Sequence, residues 1–575
     1  MSAVGWTQIG LLALLVGLLV RPLGGYLARV YAGERALLQR VLGPIESALY
    51  RSAGVDASVE QTWLEYAVAL LVFNVVGVIA LYLLLRCQSL LPLNPQGQAA
   101  LTPDLALDTA VSFVSNTSWQ SYAGETTLSH LAQMAGIAVQ SFLSAATGLA
   151  VAVALIRGFS RRTTGTIGNF WADITRSVLY VLIPICVVVA LFFVAEGVPQ
   201  TLAGTVEAQT VTGGTQLIAR GPVASQEAIK LLGGDGGGFF NVNSAHPFEN
   251  PTPLTNLVEI LLMLVLGAAL TNTFGRMVGS ERQGWALLAT MAVLFGLGIA
   301  GLYAGEWRGN PALASLGVDQ APGPLQAGGN MEGKEARFGV VGSALFAEGS
   351  TASSDGAVDA MHDSFLPLSG GILLGNMMID EVIIGAPGSG LWGILLFCLV
   401  AVFIASLMIG RTPEYIGKKI EAREVKMAVL ALLCAPALIL GLAALASVAP
   451  DGLAGLGNAG PHGFSEILYA YTSAAATNGS AFAGLSANTP FYNLTLALAM
   501  FAGRFLVIVP VVAIAGSLAA KRTIPSSAGT LPTDGPQFVL LLAGTIVIVG
   551  GLIFFPALSF GPLVEHFAMQ GGAAY

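Results

Sequence analysis

The sequence predicts an all-α integral membrane protein with about ten transmembrane helices. Eight of them form four helix–pore loop–helix repeats with pseudo-four-fold symmetry, and one extra helix lies at each end. Three observations support this fold class. The 575 residues are 54% hydrophobic and only 10% charged, whereas charged residues approach a quarter of an ordinary soluble domain. Ten apolar stretches reach the length of about 20 residues that crosses a bilayer. Four short polar turns recur between them, about 120 residues apart.

The apolar stretches place the helices in order along the chain. The predicted spans are 6–30, 62–86, 128–157, 172–196, 254–278, 282–304, 388–412, 427–448, 491–519 and 536–560. No basic residue precedes the first stretch and no small-residue cleavage site follows it, so we expect an uncleaved first span rather than a signal peptide. The other spans flank the polar turns in pairs, except the last.

The same pattern divides the chain into six segments. A first helix and a cytoplasmic loop occupy 1–61, and pore repeats one and two occupy 62–160 and 161–280. The third repeat, 281–426, includes a glycine-broken gating segment at 364–387. The fourth repeat is 427–522, and 523–575 holds the last helix and an external C-terminus. Two connections, 197–222 and 305–340, are predicted to form small external caps or disordered loops.

Basic residues in short loops predict the orientation, because cytoplasmic loops carry the excess of Lys and Arg. The basic loops follow the second helix of each repeat and contain Arg157, Arg161, Arg162, Arg276, Arg282, Arg411, Lys418, Lys419, Arg423, Lys426, Lys521 and Arg522. That side is predicted to be cytoplasmic. The turns then open on the external side, and both termini are external too.

The four turns are predicted to meet and form a cation filter. Non-helical backbone at membrane depth is tolerated only where protein or a water-filled cavity surrounds it, and rings of backbone carbonyls can replace the water around an ion. Each turn ends a short helix whose carboxyl end carries partial negative charge. The filter residues are Asn116, Thr117, Ser118, Gly234, Asp235, Gly236, Ser354, Asp355, Gly356, Thr477, Asn478 and Gly479.

The second and fourth turns align without a gap over a longer stretch. The matching residues are Gly236, Phe239, Pro247, Phe248 and Asn250 with Gly479, Phe482, Pro490, Phe491 and Asn493.

Four further polar residues are candidates for filter-adjacent or gating roles: Gln120, Asn243, Glu381 and Arg504. Glu381 follows Asp380 in the glycine-broken segment, where acids at membrane depth suggest a gate. Arg504 interrupts an apolar span, and a fixed positive charge behind a cation filter would limit free flow. The alternative is an Arg504 that snorkels or pairs with a structural carboxylate.

Several function classes are disfavoured by absent motifs. The sequence has no Walker loop and no Asp-Lys-Thr-Gly phosphorylation sequence, so we expect no ATP site and no catalytic residues on this chain. No basic stripe suggests nucleic-acid binding. A membrane-embedded enzyme using His246, Glu249, His362 and Asp363 is a weak alternative because their spacing is scattered. Active transport would therefore draw on an ion gradient or a partner subunit.

Long motifs resemble one known family. The stretches SNTSWQSY (115–122), GGGFFNVNSAHPFENPT (236–252), AMHDSF (360–365) and TNGSAFAGLSANTP (477–490) are similar to the potassium-binding A subunit of the Kdp potassium-transporting ATPase, the KdpA family. The resemblance extends to 21–24 and to Gly503 and Arg504. It implies a multi-pass subunit of the bacterial inner membrane that binds external K⁺ at the filter residues. The resemblance also implies transfer of K⁺ through a tunnel to the P-type ATPase subunit KdpB, with KdpC and the small peptide KdpF as further partners.

The chain departs from the family pattern in two turns. The second turn reads Gly-Gly-Asp-Gly at 233–236, where the family has Gly-Thr-Asn-Gly, and Asp355 stands where a Cys is frequent. Carboxylates in the pore would raise affinity and alter sodium rejection, whereas outward carboxylates would brace the turns. We favour bracing, because carbonyl presentation does not depend on the side chain. A gradient-driven Trk/Ktr-type K⁺ transporter, which shares the four-repeat plan, is the alternative function.

Overall fold

The structure, a computed structural model, describes residues 3–34, 36–324, 326–379, 382–525 and 530–572. Within these residues, ten helices are long and apolar enough to cross a membrane, which confirms the predicted fold class. We number them as spans 1 to 10: Ala3–Tyr31, Trp63–Cys87, Ala132–Ser160, Phe170–Ala195, Pro253–Met277, Glu281–Trp307, Ser389–Met408, Ala422–Val448, Pro490–Ala520 and Pro536–Leu558. The predicted helix ends agree with these bounds to within five residues, because the length of the apolar stretch sets the length of a span.

A shorter helix lies between the two spans of each repeat. These four pore helices, numbered 1 to 4, are Pro103–Val114, Val223–Leu232, Gly339–Ser353 and Gly460–Ala476. Every residue of pore helix 3 is buried, as expected for a helix that is surrounded by protein on all sides. Each pore helix ends where one of the four polar turns begins.

The repeats close into a ring around the pore helices. Span 9 of the fourth repeat packs against pore helix 1 and span 3 of the first repeat. Outside the ring, span 1 packs along span 5. A Cβ placed on Gly24 would lie 2.7 Å from the Ala269 carbonyl oxygen, so only glycine allows this close approach of the two helices.

Short elements connect the spans. The strands form three antiparallel pairs: Gln61–Thr62 with Thr166–Gly168, Val206–Gln209 with Thr215–Ile218, and Glu414–Tyr415 with Lys418–Lys419. The second pair lies in the 197–222 connection and forms a small cap. The other connection begins later than predicted, because span 6 continues to Trp307 and a short helix, Pro311–Ser315, follows it.

The predicted loop between spans 1 and 2 contains a helix, Gln39–Ala53. Its Glu46 accepts hydrogen bonds from the Tyr180 hydroxyl (2.7 Å) and from Arg176 Nε (3.2 Å), which dock the helix on span 4. Val41 and Ile45 on this helix are exposed. The hydropathy criterion misses this helix because its apolar residues alternate with polar ones at helical spacing and never form a continuous run.

The glycine-broken segment contains a helix, Pro367–Met378, that stops well before span 7. Gly388, just ahead of span 7, has a φ of +114°, a conformation that favours glycine. Asp380 and the candidate gating residue Glu381 lie outside the described residues.

Candidate functional site

The four polar turns have the same backbone structure. The first residue of each turn is left-handed, with a φ of 65° at Asn116, 60° at Gly234, 64° at Ser354 and 63° at Thr477. The amide of the second residue donates to the carbonyl five positions earlier, in the pairs Thr117 to Ser112, Asp235 to Lys230, Asp355 to Ser350 and Asn478 to Ser473, at 2.8–3.2 Å. This pattern is the Schellman motif, which ends a helix by reversing the chain. The turns predicted from the sequence are therefore equivalent residue by residue.

The turns also contact one another, and we call residues 116–118, 234–236, 354–356 and 477–479 together the ring. Turn 1 meets turn 2 through the Asn116 side-chain amide, which donates to the Gly234 carbonyl at 2.6 Å. Turn 2 meets turn 3 at two glycines, since a Cβ on Gly236 would lie 2.3 Å from the Gly356 Cα. The contact between Gly236 and Gly356 is a backbone approach that a larger residue would prevent.

The remaining two contacts close the ring. A Cβ on Gly356 would lie 2.5 Å from the Asn478 carbonyl oxygen, which brings turn 3 to turn 4. A Cβ on Gly479 would lie 1.9 Å from the Thr117 carbonyl oxygen, which brings turn 4 back to turn 1. The structure thus brings together all four predicted turns, although they are separated by more than a hundred residues each.

The ungapped alignment of turns 2 and 4 is correct at the turn and wrong beyond it. Span 9 begins at Pro490 with Thr489 as its N-cap, and span 5 begins at Pro253 with Thr252 as its N-cap. Pro490 is therefore equivalent to Pro253 and not to Pro247. The connection after turn 2, 237–252, is longer than its counterpart, 480–489. Its buried residues Asn243, Ser244 and Glu249 form a cluster that we call the brace.

A buried lysine that was not among the predicted site residues organises the brace. Lys230 Nζ, at the end of pore helix 2, forms ion pairs of 2.8 Å with both Glu227 and Glu249. It also donates to Asn243 Oδ1 at 2.9 Å and to Ser244 Oγ at 3.0 Å. A lysine among apolar residues at membrane depth is itself a signal of function or pairing, and that signal could have identified Lys230.

Asn243 and Gln120 contact the backbone just after turn 2. The Asn243 side-chain amide donates to the Gly237 carbonyl, and its oxygen accepts from the Val358 amide at 3.3 Å. Gln120 Nε2 donates to the Gly238 carbonyl at 3.2 Å. Both residues therefore link turn 2 to its neighbours, with Asn243 reaching repeat 3 and Gln120 belonging to repeat 1.

The two unusual carboxylates lie on turns 2 and 3. Asp235 Oδ1 accepts a hydrogen bond from Ser144 Oγ of span 3 at 3.0 Å. Asp355 Oδ1 accepts from the Ala357 amide of its own turn at 3.0 Å. Both side chains are buried. One oxygen of Asp235 is thus held by span 3 and one oxygen of Asp355 by its own turn.

Arg504 lies beside turn 4. It is buried, and it lines a cavity of about 40 Å³ together with Thr477 of the ring and Ser389 and Trp392 of span 7. Its guanidinium carbon is 5.3 Å from the centre of the Trp392 ring, a cation–π distance. A positive charge therefore shares a cavity with one turn of the ring.

A comparison with known protein families identifies the family of this chain. The family profile described as KdpA, potassium-transporting ATPase A subunit, matches residues 10–567. This chain belongs to the potassium-transporting ATPase A subunit family.

Members of this A-subunit family align with the chain from end to end. The potassium-transporting ATPase potassium-binding subunit of Methylorubrum populi is 62% identical over 575 residues, which cover 100% of this chain and 99% of that protein. The subunit of the same name from Brucella anthropi is 59% identical over 575 residues and is covered completely.

A solved structure shares the fold of this A-subunit family member. The crystal structure of the potassium transporter TrkH from Vibrio parahaemolyticus superposes with a TM-score of 0.52, covering 85% of this chain and 97% of TrkH. The sequences are only 13% identical, so the likeness concerns the fold alone.

The residues considered for a membrane-embedded enzyme do not form one site. His246 stacks on Phe240 with ring centres 3.6 Å apart, whereas His362 Nδ1 is hydrogen-bonded to the Tyr469 hydroxyl at 2.9 Å. Glu249 pairs with Lys230. Each of these side chains thus has a separate partner, and this arrangement favours structural roles in the A-subunit fold.

Proposed function

We propose that this chain is the channel-like, potassium-binding subunit of an ATP-driven K⁺ uptake complex, and that K⁺ binds from the external side within the ring. The observation that carries the proposal is the closed contact of four equivalent backbone turns, from Asn116 to Gly234, Gly236 to Gly356, Gly356 to Asn478 and Gly479 to Thr117. Such a ring can replace the water around a dehydrated cation with backbone oxygens.

The electrostatics of the surrounding helices support a cation as the ligand. All four pore helices end at the ring, and each helix carboxyl end carries roughly half a negative charge. Four such ends favour a monovalent cation without any carboxylate in the pore. Asp235 and Asp355 then act by bracing, because hydrogen bonds hold Asp235 to span 3 and Asp355 to its own turn.

Beyond the ring, K⁺ passes to a partner. In this proposal Arg504 limits free flow in the cavity that it shares with Thr477, and the ion continues through the membrane to a P-type ATPase subunit, KdpB, which hydrolyses ATP. KdpC and the small peptide KdpF complete the complex. The names of the relatives support this assignment, since they are subunits of potassium-transporting ATPases.

The proposal includes a location in the bacterial inner membrane, with both termini on the external side. The basic loops support this orientation, since loops rich in Lys and Arg remain in the cytoplasm. The chain itself supplies the ion-binding step and no catalytic residue.

The test replaces Gly236 with Asp in the assembled complex and measures K⁺-stimulated ATP hydrolysis. Gly236 has a φ of +73° and faces Gly356, so a side chain displaces turn 3. Gly97→Asp is the matched control, because Gly97 also has a positive φ, +67°, but is exposed with open space around it. We expect the half-saturating K⁺ concentration to rise at least about tenfold in Gly236→Asp, a loss of about 1.4 kcal/mol. Equal values in the two variants would contradict the ring as the K⁺ site.

The alternative function is a gradient-driven K⁺ transporter of the Trk/Ktr type. That function requires uptake by this chain without an ATPase subunit. We expect no K⁺ uptake by vesicles that contain the purified chain alone, and ATP-dependent uptake when the other subunits are present. Uptake by the chain alone that a proton or sodium gradient drives would favour the alternative.

A further inference from the structure

Four titratable side chains meet away from the ring, near the beginning of pore helix 4. His462 Nε2 lies 3.0 Å from Asp363 Oδ1, and His462 Nδ1 lies 2.8 Å from Glu565 Oε1. The fourth member is Glu466. Three possible metal-ligand atoms lie within 4.8 Å of one another, one each from Asp363, His462 and Glu466.

The cluster assembles from three separate parts of the chain. His462 and Glu466 lie four residues apart on pore helix 4 and therefore share one face of that helix. Asp363 comes from the connection after turn 3. Glu565 comes from the helix Val564–Gln570 that follows span 10. Only the folded chain brings these groups together.

Hydrogen bonds from neighbouring groups hold the carboxylates of Asp363 and Glu466 in place. The Gly484 amide donates to Asp363 Oδ2 at 3.0 Å, and Asn458 Nδ2 donates to Glu466 Oε1 at 2.7 Å. The His462 ring is stacked on Phe482, with ring planes 11° apart. Each carboxylate keeps unused lone pairs, because an ionised carboxylate has about four acceptor sites.

The cluster carries more negative than positive charge. Among the ion pairs of the described residues, Asp363 and Glu565 pair with His462 and with no lysine or arginine. Glu466 is fully buried and accepts only neutral donors. Three acidic side chains and one histidine give the cluster more acidic than basic groups in a partly enclosed cleft.

We propose that this cluster is a binding site for a divalent transition-metal cation of the Zn²⁺ type, with His462 Nε2, Asp363 and Glu466 as ligands. Glu565 orients the imidazole through Nδ1–H, which is the carboxylate–histidine–metal arrangement that fixes the tautomer of a ligating histidine. Imidazole nitrogen and carboxylate oxygen are both zinc ligands, and three protein ligands with an open position are typical of a zinc site that keeps a bound water.

A cavity of about 310 Å³ next to the cluster supplies the open position. Asp363, His462 and Glu565 line it together with Glu332 and Asn310, and it has room for a metal-bound water. A bound metal also joins the connection after turn 3 to pore helix 4 and stabilises that contact.

The test measures Zn²⁺ binding to the purified, metal-stripped full chain by equilibrium dialysis and elemental analysis. We expect one Zn²⁺ per chain, and a higher unfolding temperature when Zn²⁺ is added. His462→Gln and Glu466→Gln are expected to lose this Zn²⁺. Glu565→Gln is expected to weaken binding by about 10- to 100-fold, as removal of an orienting partner does. His566→Gln is the control, since His566 is only partly buried and contacts Gln570 rather than the cluster.

Two results would overturn the proposal. The first is Zn²⁺ binding that is equal in wild type, His462→Gln and His566→Gln, which would place the metal elsewhere. The second is no Zn²⁺ binding by the wild type, which would leave the cluster as an ion pair only. Asp363→Asn serves as a second ligand variant if His462→Gln does not fold. The assay involves no K⁺, so its result is independent of the proposed transport function.

Discussion

Among glycine-to-alanine substitutions in the ring, Gly479→Ala is expected to disturb the ring most directly. Gly479 has a φ of +104°, and its Cβ would lie 1.9 Å from the Thr117 carbonyl oxygen. Its amide donates to Ser473 Oγ at 2.9 Å, which limits movement of turn 4. The alanine methyl group and the Thr117 carbonyl cannot both keep their positions, so one turn of the ring must shift.

The magnitude follows from two terms. A left-handed backbone costs a residue other than glycine about 1–2 kcal/mol, and overpacking costs about 1–3 kcal/mol. The strain totals about 2–5 kcal/mol on these figures. Because the shifted atoms belong to the proposed K⁺ site, binding must restore their positions against this strain. The lower figure alone corresponds to an about 30-fold loss of K⁺ affinity.

The assay is K⁺-stimulated ATP hydrolysis by the purified complex, with the half-saturating K⁺ concentration as the readout. Gly441→Ala in span 8 is the control, because open space surrounds its Cβ position and alanine favours a helix. We expect the half-saturating concentration to rise in Gly479→Ala and to remain unchanged in Gly441→Ala. An assembled Gly479→Ala complex with wild-type half-saturation would refute the assignment of this turn to the K⁺ site.

Three further predictions concern side chains around the ring. Lys230→Met leaves two buried glutamates without their cation, so we expect a loss of about 3–5 kcal/mol in the free energy of unfolding, measured by thermal or denaturant unfolding; an unchanged midpoint would contradict the bracing role. Asp235→Asn keeps an oxygen that can accept from Ser144, so the ratio of K⁺ to Na⁺ half-saturation should stay constant, whereas a changed ratio would place Asp235 in the ion path. Arg504→Ala removes the charge from the cavity beyond the ring, and we expect ATP hydrolysis to lose its coupling to K⁺ transport; wild-type coupling would reduce Arg504 to a structural residue.

The helices and the turns could be predicted because both depend on local composition. A span needs about 20 apolar residues wherever it occurs, and a turn that ends a helix with left-handed backbone favours Gly, Asn and other small residues. The four turns at Asn116, Gly234, Ser354 and Thr477 could therefore be recognised by their recurrence between spans, although each alone is a weak signal. Their assembly was inferred from the requirement that buried polar backbone find partners.

Features that depend on contacts distant in sequence were not predicted. Span 5 begins at Pro253 and not at Pro247, as the ungapped alignment implied. The extra length belongs to the brace around Lys230, whose partner Glu249 lies beyond turn 2. His462 and Asp363 are 99 residues apart, and no local spacing signals their contact. The helix Gln39–Ala53 was missed for a different reason, since it is amphipathic and too short for a span.

The most direct test of the central claim is to locate the ion itself. Tl⁺ scatters X-rays anomalously and resembles K⁺ in charge, so crystals of the complex grown in Tl⁺ would reveal the binding position. We expect an anomalous peak inside the ring, surrounded by residues 116–118, 234–236, 354–356 and 477–479. Tl⁺ bound elsewhere in the chain, with no peak inside the ring at saturating concentration, would contradict the account.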